Sequence, residues 1–256
     1  MSSVPLAHRE DGPAGAPVVV LGPSLGTTWE MWDDAAAVLA ASYRVVRYDT
    51  RGHGRSPVPP GPYSIVDLAA DVLDLLDSLD VAEFAMVGLS LGGAIAQQQA
   101  VTAPDRLRAA VLCCTVPRFG GPQPWAERAA TVRGSGMAAI ADATRQRWFT
   151  EEFRATRPEV VDRLIETMTG LDPEGYAGCC EALGGFDLSD ELGRISIPVR
   201  VVAGVADPVA PPAAAEAMAD AIPGADLVVV PDTSHLATVA GDSFLRPVSD
   251  FLEAQL

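Results

Sequence analysis

Six short apolar runs recur along the chain: residues 17–21 (PVVVL), 43–48 (YRVVRY), 83–88 (EFAMVG), 107–112 (LRAAVL), 198–203 (PVRVVA) and 226–230 (DLVVV). Each is too short for a typical helix and is apolar without strict alternation, as a strand covered on both faces would be. Between the runs the period changes. Over 64–79, Leu68, Val72, Leu75, Leu76 and Leu79 fall on one helical face, and Asp67, Asp71 and Asp74 fall on the other. That acidic stripe reads as a solvated face. Ser64 stands where it can cap the helix, with Asp67 three residues on. Strands that alternate with helices join through right-handed βαβ crossovers. The fold class is therefore α/β, with a mostly parallel central sheet and helices on both faces.

One stretch breaks the rhythm. From about 117 to 195 the strand pattern disappears, and the sequence reads as helices interrupted by Gly and Pro. Pro117, Gly120, Gly121, Pro122 and Pro124 mark the entry, and Pro198 marks the return to strand. The expected organisation is a core formed by 1–116 and 196–256, with 117–195 inserted as a helical lid. A length of 256 residues suits one such domain.

Charge narrows the partners. Lys+Arg number 18 and Asp+Glu 34, a formal net charge of −16. Neither nucleic-acid phosphates nor an anionic membrane surface would be attracted to such a chain. No apolar run reaches the roughly 18 residues of a membrane span. Met1-Ser2-Ser3-Val4 has neither a basic region nor a long apolar core, so no signal peptide is expected. The four cysteines form two adjacent pairs, Cys113-Cys114 and Cys179-Cys180, without metal-ligand spacing. They read as reduced, buried thiols of a cytoplasmic protein, with no metal site.

Gly88-Leu89-Ser90-Leu91-Gly92 is a G-x-S-x-G pattern. An apolar run precedes it and a helical pattern follows, the context in which this motif lifts a serine onto a tight strand-to-helix turn. Ser90 is therefore the candidate nucleophile. A serine hydroxyl needs a base, and the base needs an orienting carboxylate. Of the three histidines, His8 lies in an N-terminal segment read as a hairpin arm. His53 lies in a Gly-rich loop, Arg51-Gly52-His53-Gly54, and reads as a loop-packing residue, with a substrate contact as the alternative. His235 follows the last apolar run. In the order Ser…Asp/Glu…His the base comes last, which selects His235. The run 198–203 leads into Gly204-Val205-Ala206-Asp207, and Asp207 precedes Pro208, which keeps it extended. It is the candidate acid, and Asp232 is its competitor. The oxyanion donors are expected to be the backbone amides of Leu91 and of Leu25, in the loop Gly22-Pro23-Ser24-Leu25-Gly26-Thr27.

These motifs together identify the chain as a member of the α/β-hydrolase superfamily. Within it, several segments resemble the 3-oxoadipate enol-lactonases. They are Ser24-Leu25-Gly26-Thr27 with Met31-Trp32-Asp33, Arg47-Tyr48-Asp49-Thr50-Arg51-Gly52-His53-Gly54 and Gly61-Pro62-Tyr63-Ser64-Ile65. Arg147-Trp148-Phe149-Thr150, Gly175-Tyr176-Ala177-Gly178 and Leu192-Gly193-Arg194-Ile195 belong with them. Pro23, Cys114, Gly184-Gly185 and Ala237-Thr238-Val239-Ala240 depart from the family pattern. The resemblance implies an α/β-hydrolase fold and a cofactor-free opening of a small anionic lactone in the breakdown of aromatic acids. It carries the triad onto Ser90, Asp207 and His235.

The same triad also serves esterases, other lactonases, C–C-bond hydrolases and cofactor-free perhydrolases, and it can persist in a non-catalytic binding protein. An anionic substrate on a chain at −16 needs a local cation. The lid offers Arg128, Arg133, Arg145 and Arg147, of which Arg147 lies in the lid motif beside Trp148. Ser24 is a further candidate contact. Trp125 and Trp148 either line the pocket or form the lid's own core.

Overall fold

The computed structural model describes residues 3–256; Met1 and Ser2, the start of the segment read for a signal peptide, lie outside the described residues. The first half runs β1 (His8–Asp11), β2 (Val18–Gly22), α1 (Asp33–Leu39), β3 (Arg44–Tyr48), α2 (Ile65–Ser78), β4 (Phe84–Leu89), α3 (Leu91–Thr102) and β5 (Leu107–Cys113). Five helices follow: α4 (Pro122–Ser135), α5 (Ala141–Trp148), α6 (Glu151–Thr156), α7 (Pro158–Thr169) and α8 (Pro173–Gly184). The chain then returns through β6 (Val199–Gly204), α9 (Pro212–Ala221), β7 (Asp226–Val230) and α10 (Asp242–Gln255).

The strands form one sheet in the order β1-β3-β2-β4-β5-β6-β7, all parallel except β1. Every residue of β4 is buried, so both faces of the sheet centre are covered. The order reverses at β2: the chain moves outward to β3 and then crosses back to β4 on the other side. A crevice opens at the carboxyl ends of strands where the direction of winding switches. Gly22 pairs with Gly88 at that end. The loops leaving β2 and β4 therefore start side by side, and these are the loops that carry Leu25 and Ser90.

The structure corrects two readings. His8 does not belong to a hairpin with the next strand; β1 lies antiparallel on β3, with His8 opposite Tyr48 at the sheet edge. Asp71 is not on a solvated face. It is 1% exposed and takes a two-pronged ion pair from Arg51, with Nε–Oδ2 and Nη2–Oδ1 both 2.7 Å. The Val4 amide also donates to it. Breaking such a buried pair typically costs about 3–5 kcal/mol. Ser64 and Asp67 form the reciprocal cap of α2.

The two ends of the α4–α8 segment are paired with each other. Leu188 donates its amide to the Pro117 carbonyl at 2.9 Å, and Arg118 bridges Asp187 beside it. All four cysteines are buried free thiols. Among the described residues no helix is long and apolar enough to cross a membrane.

Candidate active site

Ser90 sits at the top of β4 with φ 55° and ψ −106°, a conformation that a non-glycine residue adopts only under constraint. The constraint is visible on both sides. Its amide donates to the Cys113 carbonyl at 2.9 Å, and its carbonyl accepts from the Thr115 hydroxyl at 2.9 Å. Gly92 is needed for the turn: a Cβ there would lie 2.2 Å from the Gly22 carbonyl oxygen. Small residues let the two backbones meet and hold the hydroxyl out at the crevice.

His235 approaches from the loop after β7. Its Nε2 lies 2.9 Å from Ser90 Oγ, and its Nδ1 lies 2.9 Å from Asp207 Oδ2. All three side chains are buried. Asp207 is aimed by the amides of Val209 and Ala210, which donate to its other oxygen at 2.7 and 3.1 Å. Burial works to raise its carboxyl, but the facing His235 ring and these hydrogen bonds outweigh burial and hold it below the ordinary value. Asp232 is exposed, in a turn at φ 57°, and takes no part.

Behind the nucleophile, the β2 loop is almost fully satisfied. The Thr27 amide and hydroxyl both donate to the Ser24 carbonyl, at 3.1 and 2.8 Å. The Ser24 amide points at Met31 Sδ, and the Gly26 amide donates to His53 Nε2 at 3.0 Å. Among the described residues, the Leu25 amide finds no acceptor. The loop is tied to the start of α3 by Gly92 N–H donating to the Pro23 carbonyl at 3.0 Å. Leu91, the first residue of α3, brings its amide to the helix N-terminus, where free donors and the helix dipole favour negative charge.

A cavity of about 30 Å³ lies over Ser90 and His235, room for a water molecule or two. Its walls include Ser24, Leu25, Trp125, Arg128, Arg147 and Trp148, five of them substrate-contact candidates from the sequence and Leu25 the expected oxyanion donor. Arg133 and Arg145 do not line it: Arg133 pairs with Glu174 and Glu181, and Arg145 pairs with Asp162. Arg128 lies over the Trp125 ring at 4.8 Å, and Arg147 donates to Thr144 Oγ1 at 2.8 Å. Neither has a carboxylate partner among the described residues. Burial and then repulsion by Arg128 lower the Arg147 guanidinium below its ordinary value. Thr144, Tyr176, Leu183 and Val209 complete the walls. Sequence reasoning missed all four as wall residues. They come from α5, α8 and the loop after β6, and only Tyr176 fell inside a segment that the family resemblance marked.

A family model described as the alpha/beta hydrolase fold matches residues 17–241. The chain belongs to the α/β-hydrolase family. It is 39% identical over 236 residues to 3-oxoadipate enol-lactonase 2 of Acinetobacter baylyi, covering 92% of this chain and 88% of that one. The crystal structure of the enol-lactonase from Burkholderia xenovorans LB400 superposes with a TM-score of 0.95 at 41% identity, over 97% of this chain and 96% of that one. A putative carbamate hydrolase of Pseudomonas syringae is 32% identical, over 94% of this chain and 96% of that one. The chain is a hydrolase enzyme related to the enol-lactonases. Among the described residues there is no group of three or more His, Cys, Asp or Glu side chains able to hold a metal ion.

Proposed function

We propose that this hydrolase opens a carboxylate-bearing enol-lactone of the 3-oxoadipate enol-lactone type through an acyl-enzyme on Ser90. His235 Nε2 takes the Ser90 proton as Oγ attacks the lactone carbonyl, and Asp207 holds the imidazole and offsets its charge. The amides of Leu25 and Leu91 receive the oxyanion; each such donor is worth on the order of 3 kcal/mol in the transition state. Collapse breaks the ring C–O bond. The leaving oxygen departs as an enolate, takes a proton back and ends as a ketone, which makes it a better leaving group than an alkoxide. Water, deprotonated by His235, then attacks the acyl carbonyl and releases the keto diacid. No step calls for a cofactor.

The observation that carries the substrate class is the pair Arg128 and Arg147. Two arginines without carboxylate partners among the described residues face the nucleophile's cavity on a chain whose net charge is −16. An unneutralised cation in a half-buried site costs free energy until an anion arrives. The enol-lactonase relatives support the same class. On this reading residues 117–195 act as a lid over the core formed by 1–116 and 196–256. The cavity is too small for a lactone until the lid side chains move. The free, buried cysteines accord with a reducing, cytoplasmic setting.

A panel of kcat/KM values tests the proposal, using 3-oxoadipate enol-lactone, a neutral p-nitrophenyl ester and a small carbamate. The enol-lactone is expected to lead by about 100-fold or more, the scale on which a site built for a charged group rejects analogues that lack it. Equal or better turnover of the carbamate would replace the substrate class, and equal turnover of the neutral ester would remove the two arginines from recognition.

A further inference from the structure

The loop that carries Leu25 is held from behind by a histidine outside the Ser90–His235–Asp207 set. His53 is 1% exposed and does not line the cavity. Its Nε2 accepts the Gly26 amide at 3.0 Å. Its Nδ1 faces the Arg51 carbonyl at 3.4 Å, with Cys179 Sγ 4.0 Å away. The Tyr176 ring lies against it, with centroids 6.3 Å apart.

These contacts set the tautomer. An atom that accepts an N–H bears a lone pair, so the ring proton sits on Nδ1, toward the Arg51 carbonyl. They also set the loop. Thr27 fixes the Ser24–Leu25 peptide through its oxygen, and His53 fixes the following peptide through its N–H. With both planes held, the loop amide left without an acceptor among the described residues is that of Leu25, a residue that lines the cavity. Gly26 adopts φ +85°, and a Cβ there would meet Met168, Tyr176 and Trp148 at 3.1 to 3.3 Å. The turn closes on itself through Thr27, and His53 supplies the acceptor for its Gly26 amide.

We infer that His53, in its neutral Nδ1–H form, is a positioning residue that aligns the Leu25 amide as an oxyanion donor. The inference rests on the acyl-enzyme reading above. A protonated His53 would present N–H to N–H at Gly26 and release the loop. The groups facing it are the Arg51 carbonyl, the Cys179 thiol and the Tyr176 ring. None offers a carboxylate to stabilise the cation, and the nearby Asp49 carboxylate, packed over Gly54, is engaged by the Trp29 and Arg55 amides. Burial lowers His53 to about 4, so the acceptor persists through the neutral range.

The test compares His53→Leu with His53→Gln, whose side-chain carbonyl can reach the Nε2 position. Two quantities are read on each: steady-state kinetics with a p-nitrophenyl ester, and affinity for a trifluoromethyl ketone, which Ser90 converts to a bound oxyanion. In His53→Leu, kcat and ketone affinity are both expected to fall about 10- to 100-fold with KM within about twofold, somewhat less than outright loss of a donor. His53→Gln should recover most of both. A folded His53→Leu with full ketone affinity would overturn the assignment, as would a Gln variant no better than Leu. Nitrogen-15 NMR of the imidazole in the native enzyme tests it without any substitution: an Nε2–H tautomer would end it. If the acyl-enzyme reading itself fails, native protein will not bind the ketone and Ser90→Ala will change nothing, whatever the His53 tautomer.

Discussion

Ser234 donates its hydroxyl to the main-chain carbonyl of Arg147 at 2.7 Å, so the residue before the base is fastened to the residue whose side chain faces the cavity. The neighbouring amides add to the joint. His235 N–H points to the same carbonyl at 3.4 Å, and Leu236 N–H donates to the Trp148 carbonyl at 3.1 Å. The last turn of α5 and the loop carrying the base thus form one unit. Any opening of the helical insertion that keeps the base in place must hinge elsewhere.

Ser234→Ala should loosen that unit. A buried hydrogen bond of this kind is worth about 1 kcal/mol net, so the melting temperature should drop by about 2–4 °C for a chain this long. Turnover should fall about three- to tenfold through kcat, because His235 loses its support, and Ser234→Thr should restore it. Unchanged kcat with a lowered melting temperature would reduce the contact to packing.

Asp207→Asn and Ser90→Ala separate the parts of the relay. Ser90→Ala should remove turnover while leaving the fold intact, since among the described residues Oγ hydrogen-bonds only to His235. Asp207→Asn keeps the shape but favours the wrong imidazole tautomer, and kcat should fall by about 10⁴. A loss below tenfold would point to another acid, although the competing Asp232 lies exposed in its turn.

The parts of this site that were legible in the sequence are those written locally. The six apolar runs of the sequence each overlap a strand of the sheet, and the Gly spacing around Ser90 forces the turn observed there. Asp207 and His235 could be read because each follows a strand end. Asp71 was misread because helical periodicity gives a face but not what covers it. Its partner Arg51 comes from a loop, and the Val4 amide comes from the N-terminal segment. Tyr176 and Thr144 reach the cavity from separate helices of the insertion, and no spacing rule connects them to Ser90. The role of His53 was hidden for a related reason: its partner is a backbone amide 27 residues away, which leaves no signature in side-chain pattern.

Arg147→Met should trade function for stability. The guanidinium is partly desolvated and repelled by Arg128, so replacing it with an apolar chain of similar length removes an unfavourable charge. The melting temperature is expected to rise by about 2–4 °C, equivalent to about 1 kcal/mol. Turnover of an anionic lactone should fall at least tenfold more than that of a neutral ester. Equal losses on both substrates would reject Arg147 as the carboxylate anchor.

Acid should destabilise the fold partly through His53. In the unfolded chain the imidazole takes up a proton as pH falls through about 6.5, whereas burial delays uptake in the folded protein to about 4. Between those values the unfolded state binds the extra proton, so stability falls as pH falls, by about 1.4 kcal/mol per pH unit for one group. Asp207 acts in a separate window. Its folded value lies below the usual carboxylate range, so its contribution stays intact above about pH 4 and fades only at lower pH. Urea unfolding at pH 7, 6 and 5 isolates the histidine. Native protein should lose about 2 kcal/mol more than His53→Gln between pH 7 and 5, because glutamine has no proton to gain. Parallel losses in the two proteins would mean that His53 titrates alike in the folded and unfolded chains, and that burial does not hold it neutral.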